Sequence, residues 1–81
     1  MKQAYPIIIT SDSDFYVVYI PDFDINTQGK TISEAIEMAR DAIEICIRYK
    51  LDQNQEIPIA TGIDAIEHNE KEILILVDVE F

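Results

Sequence analysis

Four aspartates, Asp12, Asp14, Asp22 and Asp24, are the residues of this chain whose type and clustering first suggest chemistry. Metal-dependent nucleases hold two Mg²⁺ or Mn²⁺ ions in clustered carboxylates. Here the carboxylates form two pairs, one on each side of the apolar segment FYVVYI at Phe15–Ile20. Read as a strand, that segment holds the pairs roughly 20 Å apart, at about 3.3 Å per residue. They cannot share one site. Either pair could bind a cation weakly, but the spacing lacks the glycine and terminal glutamate of a calcium loop. Turn formation suits these residues better, because Asp and Ser side chains hydrogen-bond their own backbone.

The remaining reactive side chains are scattered. His68 is the lone histidine. It has no partner at helical metal-ligand spacing and no nearby Ser or Cys to activate, so it reads as exposed or capping. Cys46 is the lone cysteine and sits between Ile45 and Ile47. It reads as a structural thiol rather than a reactive one, and it excludes an intrachain disulfide. Gly29 and Gly62 are the only glycines, too few for a phosphate-cradling loop. Tyr5, Tyr16, Tyr19 and Tyr49 have no basic residues among them, which argues against stacking on nucleic-acid bases. The sequence predicts no catalytic constellation, no metal and no cofactor.

The elements that position these residues follow from periodicity. Tyr5–Thr10 is a short β-branched run, closed by the polar tetrad Ser11–Asp14, which reads as a hairpin loop. Pro6 places that strand at an edge, or itself among the strand's first residues. Phe15–Ile20 is apolar on both faces and reads as a central strand, ended by Pro21-Asp22. Ile25–Gln28 is a short third strand, closed by a turn at Gly29. From Thr31 to about Leu51, Ile32, Ala35, Ile36, Ala39, Ile43, Cys46 and Ile47 recur at steps of three and four, one stripe of a helix. Thr31 is a natural N-cap, and Glu34 is placed to reach back to the Thr31 amide in a capping box. Met38, Ile45 and Tyr49 widen the apolar stripe beyond what one sheet face requires, which suits extra core or a contact with another subunit.

Ile57-Pro58-Ile59 reads as extended, since proline biases its predecessor away from helix. One helical turn is expected around Asp64–Glu67. Ile73–Val79 (ILILVDV) is a nearly continuous apolar run and reads as a central last strand. The order is strand, strand, strand, helix, strand. That is a two-layer α+β domain: an antiparallel sheet of three strands, rejoined by a final strand, with one long helix on one face.

Composition narrows the partners. The chain has 81 residues and a formal net charge of −10, from 6 Lys+Arg against 16 Asp+Glu. One domain of this size buries a limited core, so a second copy or a partner would help it. Its negative charge repels nucleic-acid phosphate and anionic lipid, and suits a basic protein. No segment approaches the roughly 20 apolar residues of a membrane span. With no signal peptide at the N-terminus, the cytoplasm is the default expectation.

The whole chain resembles the N-terminal domain of HicB-like antitoxins. The likeness rests on YPIII-T-SDSDFYVVYIPDF, on the TQGKTISEAIEMARDAIE junction and helix, and on Ile57-Pro58. Pro21, Asp22, Thr27, Gly29, Thr31, Glu34 and Ala35 fall on the family pattern. The resemblance implies a partial RNase H-like fold without the carboxylates of an active nuclease. It also implies a non-enzymatic role: binding and inhibiting a small basic HicA-like toxin that cleaves mRNA with a histidine. Phe23-Asp24-Ile25-Asn26 stands where the family usually has Leu-Pro-Gly-Cys, so this turn is expected to differ.

Antitoxins of this type often add a C-terminal DNA-binding segment. None is expected within residues 1–81, and no direct nucleic-acid binding with it. Asp12, Asp14, Asp22 and Asp24 are the expected toxin contacts. Met38, Ile45 and Tyr49 are the expected self-association residues of a homo-oligomer. The rival readings are an orphan self-associating module and a weak metal-dependent nuclease.

Overall fold

A computed structural model describes residues 1–81. The elements run β1 (Lys2–Asp12), β2 (Phe15–Ile20), β3 (Ile25–Gly29), α1 (Ile32–Asp52), a 3-10 turn (Ile63–Ala65) and β4 (Ile73–Glu80). The strands form one antiparallel sheet in the order β3-β2-β1-β4. The helix packs on one face of it, so the fold is two-layer α+β, as the hydrophobic periodicity requires.

The core lies between sheet and helix. Alternate residues of the strands point at α1: Tyr5, Ile7 and Ile9 from β1, Val18 and Ile20 from β2, Val77 and Val79 from β4. The helix answers with Ala35, Ala39, Ile43 and Ile47. Ile36 and Cys46 flank this stripe half-buried, while Ile32 at its start is exposed. Two alanines at the N-terminal end let the helix backbone come close to the sheet; two isoleucines fill the wider space further along.

Gly29 explains that close approach. A Cβ at this position would stand 2.7 Å from the Ala35 Cα and 2.9 Å from the Glu34 carbonyl carbon. Its φ is not positive, so what it supplies is room for the first turn of α1 rather than an unusual turn conformation. The helix start is capped as expected on one side: Thr31 Oγ1 accepts from the Glu34 amide at 3.0 Å. The reciprocal bond differs from the expected capping box. Glu34 Oε1 accepts from the amide of Lys30, not Thr31, at 2.9 Å.

Two placements correct the sequence reading. The last strand is an edge strand, because β4 pairs only with β1, from Lys2↔Glu80 to Ile9↔Ile73. Its Leu74 and Leu76 lie on the face away from α1, so apolar residues on both faces of an edge mimic a buried central strand. The first strand is interior to the sheet. Its pairing with β2 begins only at Ile8↔Tyr19. Pro6 therefore sits where β1 has a neighbour on one side alone, which reconciles a proline with an interior strand.

Candidate functional site

The two aspartate pairs lie where the strand reading put them, before and after β2. Their surroundings differ. Asp12 and Asp14 stand exposed at the β1–β2 hairpin, flanking Ser13, which takes a positive φ of 55°. Asp22 and Asp24 are engaged by their own chain. Asp22 Oδ2 accepts from the Thr61 amide at 3.0 Å and Oδ1 accepts from the Thr61 hydroxyl at 2.5 Å. Asp24 Oδ1 accepts from the Tyr19 hydroxyl at 2.9 Å. Asp24 also carries a positive φ of 51°, a conformation that Asp tolerates better than most residues.

Asp22 belongs to a clamp that spacing along the sequence does not reveal. The Tyr5 ring meets Phe23 edge-on, with centroids 5.0 Å apart. The Tyr5 hydroxyl donates to the Pro58 carbonyl at 2.7 Å. The Ile57–Thr61 segment is thus pinned twice, to β1 through Tyr5 and to the β2–β3 turn through Asp22. Burial, and then the nearby Asp22 carboxylate, hold the Tyr5 phenol above its ordinary pKa. Tyr19 is raised as well, chiefly by its hydrogen bond to Asp24. The only earlier signal for the clamp was the extended Ile57-Pro58 pair.

The other chemical candidates stay apart. No three His, Cys, Asp or Glu side chains converge closely enough to hold one metal ion. His68 is exposed, with Nδ1 3.4 Å from the Ile66 carbonyl. Cys46 is half-buried on the flank of α1. No helix is long and apolar enough to cross a membrane.

Met38, Ile45 and Tyr49 lie together on the flank of α1 that overhangs β3. They are 44%, 60% and 60% exposed. Ile45, Cys46 and Tyr49 line a groove of about 430 Å³ with Phe23 and Ile25. On the opposite flank, Arg40 Nε donates to the Asp78 carbonyl at 3.1 Å and its guanidinium pairs with Glu37, joining the helix to β4.

This arrangement of a four-stranded antiparallel sheet and one helix has known counterparts. The family model described as the HicB_like antitoxin of bacterial toxin-antitoxin systems matches residues 5–81. The chain belongs to the HicB-like antitoxin family. Antitoxin HicB of Escherichia coli strain K12 is 27% identical over 68 residues, covering 82% of this chain and 49% of that protein. The chain thus spans about half the length of that HicB relative. A UPF0150 protein of Thermoplasma acidophilum is 40% identical over 58 residues, covering 69% of this chain and 84% of its own length. A chain of a toxin-antitoxin complex from Streptococcus pneumoniae superposes with a TM-score of 0.88 at 24% identity, covering 99% of this chain and 70% of that one. That likeness shows the fold.

Proposed function

We propose that this chain is an antitoxin-type binding module. It neutralises a small basic HicA-like, mRNA-cleaving toxin in the cytoplasm by direct contact, and catalyses nothing itself. The observation that carries this reading is the family match over residues 5–81. The net charge of −10 supports it, because an acidic inhibitor is steered toward an RNA-binding surface. The β-β-β-α-β order supports reading the fold as partial RNase H-like, with carboxylates serving turns and clamps where a nuclease would gather them around metal.

Among the acidic residues, Asp12 and Asp14 are the contacts the geometry favours, since both are exposed and neither is bonded to its own chain. Asp24 joins them at lower cost than Asp22, whose carboxylate holds Thr61. The test is a titration of the chain into a HicA-like toxin digesting RNA. Cleavage stops at equimolar antitoxin on this reading; cleavage unchanged at excess antitoxin refutes it. Charge reversal at Asp12 and Asp14 slows association, most at low salt.

A second reading, an orphan self-associating module, is favoured by the exposed stripe of Met38, Ile45 and Tyr49. It predicts oligomers that leave RNA cleavage by such a toxin untouched.

A further inference from the structure

We infer that two copies of this chain join edge to edge through β3, with the Met38, Ile45 and Tyr49 flank of each helix packed against the other. The inference goes beyond toxin neutralisation and does not rest on it.

The first ground is the state of the strand. β3 pairs with β2 on one side only, and no loop hydrogen-bonds its outer backbone. Natural edges are guarded by charge, proline or a bulge. The β3 sequence, INTQG, has none of the first two, and its ladder with β2 runs unbroken from Ile20↔Ile25 to Tyr16↔Gly29.

The second ground is the wall beside it. The groove between Phe23, Ile25, Ile45 and Tyr49 opens along this same edge. A strand added to β3 therefore brings apolar groups against apolar groups as well as backbone against backbone. A second copy supplies both at once, by a two-fold axis normal to the sheet.

The third ground is charge, and it selects the occupant. Two bodies of charge −10 repel, so they meet where charge is absent or mixed. β3 carries no ionisable residue; Asp24 and Lys30 stand at its two ends, and Lys50 lines the groove beside it. Antiparallel pairing about Thr27 sets Asp24 of one copy opposite Lys30 of the other. The antiparallel helices carry Lys50 toward the acidic first half of the facing helix, at Glu34, Glu37 and Asp41.

Sedimentation equilibrium of the chain tests the arrangement. The wild type is expected at twice its 9.3 kDa mass. Ile45→Glu combined with Tyr49→Glu alters only exposed side chains. It is expected to weaken association by about a hundredfold or more, with circular dichroism unchanged. Leu76→Glu, equally surface-placed but on β4, leaves the dimer intact. A wild-type monomer throughout the accessible concentration range overturns the inference, as does a dimer that ignores the helix pair and falls apart on Leu76→Glu. A monomeric wild type whose binding to a HicA-like toxin is abolished by the helix pair also overturns it, and gives the face to the toxin. A dimer that fails to stop RNA cleavage leaves this inference standing and removes only the antitoxin reading.

Discussion

The two edges of the sheet are built on opposite plans. β4 is long, follows β1 from Ile9 to Lys2, and plants Val77 and Val79 in the core. Its outer side carries Asp78 and Glu80, with Arg40 tied to the Asp78 carbonyl. β3 is short, uncharged and bare on its outer side, and is held by its ladder with β2 and by the helix that follows it across Gly29. Edge strands template unwanted pairing unless something blocks it. The chain guards one edge with charge and leaves the other open, and the open edge is the one beside an apolar helix flank.

The largest effect that could break this comparison is at Gly29. Gly29→Val sets side-chain atoms against the backbone of Ala35 and Glu34. The helix must shift, and we expect a loss of about 3 kcal/mol or more in urea unfolding. If β3 were merely an appendage, the cost would be a few tenths. Val77→Ala tests the other edge. Removing two buried carbon groups from β4 costs about 2 kcal/mol, transfer and cavity together, without affecting the oligomeric state.

Stripping the guard from β4 by Asp78→Thr and Glu80→Thr is expected to change association rather than stability. Light scattering should show new higher-order species, because a second unguarded edge now exists; no change means the charges there are ornamental. Tyr5→Phe deletes the bond to the Pro58 carbonyl and should cost about 1 kcal/mol. It loosens the Ile57–Thr61 segment and leaves both edges in place, as hydrogen exchange would show.

The smallest effect is a pH dependence. Tyr5 has its pKa raised in the fold, so the unfolded chain loses that phenolic proton first. Its contribution is therefore complete below the ordinary tyrosine value near 10 and is lost as pH climbs through the raised one. Thermal melts of wild type and Tyr5→Phe should converge above about pH 10 and differ below it.

The helix was the most legible part of the sequence, because its stripe and its Thr31 cap are local signals. Even there, the Glu34 carboxylate chose the Lys30 amide, one residue off, since the chain turns before Thr31. Strand order was not legible. Alternation says which residues share a face, not which strands are neighbours, and β4 looked central because Leu74 and Leu76 fill its outer face. The acidic pairs could be located from spacing, but not the use of Asp22. Its partner, Thr61, is far along the chain, and only folding brings them together. The apolar flank of Met38, Ile45 and Tyr49 was visible as surplus on a helix; that it borders an open strand edge follows from the sheet order alone.

Strand order also sets what happens while the chain is being made. β1 is synthesised well before its neighbour β4, with β2, β3 and α1 between them. At roughly 5–20 residues per second, translation leaves β1 without that neighbour for several seconds. The waiting edge is a β-branched run, YPIIIT, the kind of segment that recruits strands from other nascent chains. Pro6 lies in it, and its missing amide faces the side that β2 leaves open rather than the side awaiting β4. The proline that complicates the sheet's interior thus guards the stretch of β1 that β2 never reaches, while the β4 side of the nascent strand waits uncovered until β4 emerges.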